Sequence, residues 1–378
     1  MTESEKICNE IGAKFFCKDY VYQGLKYRDA KNNKIELCDG LFEYGTNYIA
    51  LQIKERAKET QGKTEDAWLQ DVVYKKAANQ IIKTIDGIKH NKITVKDLYQ
   101  QPVELHNYYQ IWPIIVFDND KIKYYKRVIE VNKIKINILK LEDYLVMMKI
   151  LIHPHDIIYY LQERMRLFTH SSPSLLFGES ADVSIIAKVQ TEKDFSSFFI
   201  NYIYGGNIEK QNASLSLMKI INDFRKTQEQ VNPDYKKLLK IFQMVEPKCA
   251  IGFIEGFKYA MNKSIENKFD ITKNLLLLLD DKKIGITFCS VGHAPFNKEY
   301  YQVICDAKQL QHKTDIAIII SFVYDNSDKI HIDWIYYDKY LDDDDNVRKV
   351  YDTLGMYDGR ITRELFEKLC DGIDWLKQ

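Results

Sequence analysis

Apolar and polar positions follow two rhythms along this chain, and the switch between them sets out the elements. Ile7, Ile11 and Phe15, with Cys8 beside them, recur at the spacing of one helix face and predict a helix over residues 3–18. A polar stretch at 30–34 reads as a turn between extended segments. Residues 35–44 and 48–55 read as two strands of a hairpin, closed by Gly45, Thr46 and Asn47. Residues 65–89 place Trp68, Val72, Ala78, Ile81, Ile82 and Ile85 on one side of a long helix. The unbroken apolar run 111–117 stops at Asp118, Asn119 and Asp120, as a buried strand and its turn do. Helix, strand, strand, long helix, strand is the order of an α/β core, a mixed sheet flanked by helices. Beyond Glu142 the pattern turns helical, at 141–169, 215–242 and 247–263, with later strand-like runs at 284–291, 315–324 and 330–337. No period of solenoid length repeats.

A chain of 378 residues and 44.6 kDa exceeds what one core usually organises, so two domains are expected. The change of pattern puts their boundary at Leu141, giving an α/β domain over 1–140 and an α+β domain over 141–378. With 46% hydrophobic and 29% charged residues, 7 Pro and 16 Gly, collagenous and disordered classes are excluded. The longest apolar runs, 316–323 and 275–279, fall short of the roughly 18–20 residues that cross a bilayer, and the charged first ten residues carry no secretory h-region. A cytoplasmic protein without membrane contact is expected. Seven cysteines occur, none as C-x-x-C, and are read as reduced thiols. The net charge is zero, yet residues 1–140 hold 24 Lys and Arg against 19 Asp and Glu, leaving 30 against 35 for the remainder. That division places any phosphate-binding surface in the first third.

The hairpin carries the candidate chemistry. Side chains alternate along a strand, so Gln52 and Lys54 share one face while Leu51, Ile53 and Glu55 take the other. With Asp39 at the neighbouring strand's end, a carboxylate, an amide oxygen and an ammonium converge. A hard divalent cation takes oxygen ligands and keeps waters, it lowers the pKa of a bound water, and a lysine beside that water stabilises charge growing on phosphorus. Asp39 followed by Gln52-x-Lys54, after a helix containing Glu10, resembles the PD-(D/E)xK nuclease superfamily, in particular its Mrr-like and NERD-like branch, in which the second acidic position often reads Q-x-K. The resemblance covers the first third of the chain. It implies a restriction-endonuclease-like mixed sheet, with Asp39 as principal metal ligand, Gln52 as the second, Lys54 as the catalytic lysine and Glu10 as the helix-borne acid. Arg56, Lys76 and Gln80 would contact substrate, and the cofactor would be Mg2+ or Mn2+. No proline precedes Asp39, which departs from the family pattern.

Other frames are absent: no G-x-S-x-G, G-x-G-x-x-G or G-x-x-x-x-G-K-[ST] occurs. His153-Pro154-His155 reads as a turn that starts a helix, and the acidic run 342–345 as a solvated loop. The expectation is a metal-dependent endonuclease that hydrolyses DNA, with RNA as the alternative strand, in prokaryotic defence against foreign DNA. Basic residues near the site (Lys54, Arg56, Lys58, Lys75, Lys76) suit phosphates rather than base edges. Residues 141–378 would act as a sensor, regulatory or oligomerisation module, engaging a protein partner or a second copy. The competing expectation is a non-catalytic scaffold of the same fold that binds nucleic acid or protein.

Overall fold

The computed structural model describes residues 2–16, 20–23, 25–28, 34–56, 64–93, 95–96, 102–169, 174–177, 185–188, 192–228, 234–279, 281–292, 298–324 and 329–338. The turn at 30–33, Lys58 and the acidic run 342–345 lie outside them. The chain forms two compact units, Met1–Thr227 and Gln228–Gln378.

In the first unit, α1 (Glu3–Phe15) starts at a capping box: Thr2 accepts from the Glu5 amide, and the Glu5 carboxylate accepts from the Thr2 amide. Then come β1 (Val21–Gln23), the short β2 (Lys26–Arg28) and β3 (Lys34–Glu36) pair, and the hairpin β4 (Gly40–Tyr44) and β5 (Asn47–Glu55). Gly45 turns the hairpin at φ +55°, a left-handed conformation of the kind that two-residue hairpin turns need. A continuous helix follows, made of α2 (Glu65–Trp68), a π-helical stretch Leu69–Ala77 and α3 (Ala78–Lys89). Its buried positions Leu69, Val73, Ala77, Ile81 and Ile85 recur every four residues. That spacing would drift off one face of an α-helix, and the wider π turn holds the stripe over the sheet. Val72 and Ile82, expected within the stripe, are half-buried at its flank.

After the small β6 (Val95–Lys96) and β7 (Pro102–Val103) pair come β8 (Gln110–Asp118), β9 (Val128–Val131) and β10 (Ile134–Lys140). The main sheet has the order β1-β4-β5-β8-β10-β9. The pairs β5–β8 and β8–β10 are parallel and the others antiparallel, so the long helix is the crossover that a parallel pair demands. Leu41, Tyr48, Ala50, Ile115, Phe117, Ile136 and Ile138 pack beneath that helix. The mixed sheet flanked by helices is as expected.

The unit does not end at Leu141. Helix α4 (Leu141–Ile150) continues directly from β10, and α5 (Pro154–Thr169) packs on β9 and β10. A β11 (Ser174–Phe177) and β12 (Ile185–Lys188) hairpin, α6 (Glu192–Tyr204) and α7 (Ile208–Gln228) complete it. Arg164 of α5, wholly buried, donates to the carbonyl oxygens of Arg127 at 2.6 Å and Ile138 at 2.7 Å, and to Asn137 Oδ1 at 3.1 Å. It also grips both oxygens of the buried Glu192 carboxylate, at 2.7 and 3.2 Å. The sheet's own backbone is thus satisfied by a residue beyond the expected boundary.

The helix expected over 141–169 breaks at His153-Pro154. Proline stands at the first position of α5, the His155 amide donates to His153 Nδ1 at 3.1 Å, and Asp156 Oδ2 accepts from the amides of Ile152 and His153 at 3.1 and 2.9 Å. The two histidines form a helix-start turn.

The second unit holds α8 (Tyr235–Met244), α9 (Pro247–Ile265), β13 (Phe269–Leu279), β14 (Lys282–Gly292), α10 (Lys298–His312), β15 (Ile316–Tyr324) and β16 (Ile330–Tyr337), with sheet order β13-β14-β15-β16. Strands β14 and β15 are parallel, joined through α10. This is the expected α+β content. Strand β13 is not legible as a strand, because its five consecutive leucines show no alternation in sequence although Leu276 and Leu278 are exposed and Leu277 is buried.

Candidate functional site

Register assembles the site. Gly40 pairs with Leu51 and Leu41 with Ala50, so Asp39, one residue before β4, stands opposite Gln52 on the face that Leu41 and Ala50 share. The Asp39 amide donates to the Leu51 carbonyl at 2.9 Å. Its carboxylate Oδ2 accepts from the Ile53 amide at 2.6 Å and from Gln52 Nε2. Gln52 is wholly buried, and its Oε1 has no hydrogen-bond partner. Lys54 lies two residues further along the same face and is half-buried.

Helix α3 reaches this corner through Thr84, whose hydroxyl donates to the Gln80 carbonyl at 2.9 Å and also meets the Cys38 thiol. Burial, with the Asp39 charge next to it, pushes the Cys38 thiol up to about 12, and Cys8 of α1 is pushed to about 12 by burial and then by Asp118 and Asp39. Both remain protonated thiols at neutral pH. The Gln80 side-chain oxygen is buried without a partner, whereas Lys76 is exposed.

Glu10 does not join the site. It is exposed, 3.9 Å from Lys6 on the outer side of α1. The sheet-facing residues of α1 are Ser4, Cys8, Asn9 and Gly12, while Ile7, Ile11 and Phe15 are only half-buried, so the contact stripe is rotated from the apolar one. Asn9 is the residue of α1 that reaches Asp39, at its backbone and from the face of Gly40 and Phe42 rather than that of Gln52. Its Nδ2 donates to the Asp39 carbonyl at 3.5 Å, and its Oδ1 is buried without a partner. That oxygen lies only 2.8 Å from where a Cβ on residue 40 would fall, closer than a side chain tolerates, which suits glycine at the start of the strand. Small residues spaced by four (Ser4, Cys8, Gly12) are the sequence signal for this close approach.

Around the rim, Arg56 is engaged by Glu65 at the start of α2, which also accepts from Asn119 Nδ2 at 2.7 Å. On the opposite face, Ser4 donates from its amide to Glu55 at 3.3 Å and from its hydroxyl to Asp118 at 2.8 Å. Hydrogen bonding from Ser4 holds the Glu55 carboxyl below its usual range. These two acids serve the N-terminus of α1, where amides and helix dipole favour negative charge. A cleft of about 140 Å³ opens beside them, lined by residues 117–120, 140–142 and Leu145, with Lys140 and Glu142 paired at 2.8 Å.

Among the described residues no three His, Cys, Asp or Glu side chains gather at one point. The site's donors on the Asp39 face are its one carboxylate and the buried carboxamide oxygen of Gln52. That set fits a hard, oxygen-seeking cation, since Gln52 Oε1 is a desolvated acceptor lacking a donor, but it supplies little charge to hold one. Among the described residues no helix is long and apolar enough to cross a membrane. Compared with family models, with curated proteins and with solved structures, the chain finds no match in any of the three.

Proposed function

We propose that this chain is a divalent-cation-dependent nuclease that hydrolyses phosphodiester bonds of DNA, with its site on the β4–β5 hairpin. One observation carries the reading: Asp39 and Gln52 touch across the start of that hairpin, with Lys54 on the same face. The order helix, hairpin, long helix and parallel strand around them is the order in which the PD-(D/E)xK resemblance places its motif. Asp39 and Gln52 would hold Mg2+ or Mn2+, which supplies Lewis acidity and a bound water of lowered pKa. Lys54 would donate to a non-bridging phosphate oxygen, where negative charge grows as water adds to phosphorus and an ester oxygen departs. Helix α3 carries Gln80 towards the same corner, as a neutral donor and acceptor for the substrate backbone. Defence against foreign DNA is the setting that the resemblance implies.

A second reading, a non-catalytic scaffold, is favoured by the closure of the Gln52 amide on the Asp39 carboxylate, which seals the corner as a structural hydrogen bond would. Plasmid DNA incubated with full-length protein and Mg2+ or Mn2+ separates the two. The nuclease reading expects nicking or cutting that chelation abolishes and that both Asp39→Ala and Lys54→Ala reduce at least about 100-fold, the scale on which one stabilising donor acts. Equal activity of wild type and both variants would sink the site, and no cleavage by any of them would favour the scaffold.

A further inference from the structure

We infer that the second unit carries a groove for a long-chain carboxylate, its head on Lys308 and His312 near the end of α10 and its tail over Leu276 and Leu278 of β13. The inference is independent of the nuclease reading. It starts from the face of the sheet that each side chain takes. Gly252 of α9 meets Leu275 and Gly256 meets Phe288, which puts α9 on the face shared by Leu275, Leu277, Ile286 and Phe288. Side chains alternate, so Asn274, Leu276 and Leu278 take the face of α10. There Asn274 Nδ2 donates to His312 Nε2 at 2.8 Å, and Asn274 Oδ1 accepts from the Thr287 hydroxyl at 2.7 Å. Helix α10 packs on β14, β15 and β16, whereas β13 is the edge strand, and Leu276 and Leu278 are left 53% and 69% exposed. Leu276 pairs with Gly285, where a Cβ would stand 3.4 Å from Thr314 Cγ2 and 3.9 Å from Leu276 Cδ2. The missing side chain leaves a bare floor between the two.

The head of this groove lacks a negative charge. Lys308 is 6% exposed and donates to a neutral acceptor, Gln311 Oε1, at 2.8 Å, and burial holds its ammonium below the usual range with no carboxylate to raise it. An ammonium taken out of water is costly unless it is paired. Burial and the Lys308 charge lower the pKa of His312, one turn on, from 6.5, so the ring is neutral at pH 7. With Nε2 accepting from Asn274, its hydrogen sits on Nδ1 as a donor. The buried Thr314 hydroxyl has no partner. Among the described residues from 281 to 283 and from 308 to 315, Lys282, Lys283, Lys308 and Lys313 outnumber Asp281 and Asp315. One buried ammonium suits a monoanion, and two uncovered leucines beside the Asn274–His312 pair suit an alkyl chain. A carboxylate with a hydrocarbon tail meets both demands.

Calorimetric titration of the full chain with sodium dodecanoate, kept below its micelle concentration, tests this against dodecyltrimethylammonium and acetate. Dodecanoate should bind at one site per chain. The other two, lacking the charge or the tail, should bind at least about tenfold more weakly. Lys308→Met should weaken dodecanoate at least about tenfold, yet raise the melting temperature of the unliganded protein, because an apolar side chain replaces a buried charge. Leu278→Ser, at an exposed position, should weaken dodecanoate by about tenfold, the scale of covering one leucine, and it keeps the test decisive where Lys308→Met fails to fold. Equal binding of the anionic and cationic chains, wild-type affinity in either variant, or no binding of dodecanoate overturns the inference. A dimer in sedimentation equilibrium that Leu278→Ser converts to monomer gives the leucines to a second copy of this chain and overturns it as well.

Discussion

Asn9 and Gly40 meet more closely than any side chain beyond hydrogen at residue 40 would permit, and this contact ties α1 to the strand end that carries Asp39. Replacing Gly40 by alanine should destabilise the protein by about 1–2 kcal/mol, within the usual cost of overpacking, because the Asn9 carboxamide must swing away from the Asp39 carbonyl. Removing that carboxamide with Asn9→Ala opens the space. The double variant should therefore be less destabilised than the sum of the single ones, as read from urea unfolding of all four proteins. Strict additivity would mean that the two residues do not touch. Asp39 and Gln52 were legible in the sequence because their pairing follows from a tight local turn and strand alternation. Asn9 was not, since its place depends on how α1 docks against a strand some thirty residues away, and the most apolar stripe of α1 is not the one that docks.

Helix α5 shows what an element's start contributes. His153 is wholly buried, and burial, helped by the neighbouring His155, lowers its pKa from 6.5 to about 3. Asp156, three residues on, is raised by burial from 3.8 to about 6, against the hydrogen bonds from the His153 and Ile152 amides and Tyr204. The two groups act oppositely on stability. The depressed histidine contributes stability that is complete above pH 6.5 and lost as pH falls towards 3, whereas the raised aspartate contributes stability present below pH 3.8 and lost as pH rises through 6. The histidine shift is the larger, so acid should win and loosen the turn. Asparagine at position 153 can accept from the His155 amide as the imidazole does, without titrating. His153→Asn should match the wild type within about 1 kcal/mol at pH 7 and exceed it by up to about 3 kcal/mol at pH 4. Chemical denaturation at the two pH values reads the difference, and parallel pH curves would show that His153 is not held neutral.

Over the whole molecule, the first unit closes only when α5 and α6 are in place. Breaking a buried ion pair such as Arg164–Glu192 by losing one partner typically costs about 3–5 kcal/mol. A chain cut after residue 140 loses Arg164 and Glu192 together, and with Arg164 go the donors to the Arg127 and Ile138 carbonyls and a cover for β9 and β10. A fragment of residues 1–140 should therefore lack a cooperative unfolding transition, whereas residues 1–228 should unfold in one cooperative step, both followed by circular dichroism through a urea series. A cooperative transition in the shorter fragment would show that the sheet stands without its helical cover.

What the sequence determined by itself is whatever rests on neighbours along the chain. The turn of the hairpin follows from Gly45 and its faces from alternation, the helices at 3–15 and 65–89 from apolar spacing, and the fold class from the order of these elements, whereas the strand expected over 35–44 divides into β3 and β4, and α6, α10, β9 and β10 were not read from the sequence. The tertiary structure decided three things. It set the edge of the first unit, because Arg164 satisfies carbonyls on strands that precede it. It turned part of the crossover helix into π geometry, because a stripe repeating every four residues has to stay over a flat sheet. It also chose Asn9 over Glu10 as the helix residue beside Asp39. Burying a charge beside a carboxylate costs far more than burying a neutral carboxamide, and α1 approaches Gly40 closely there.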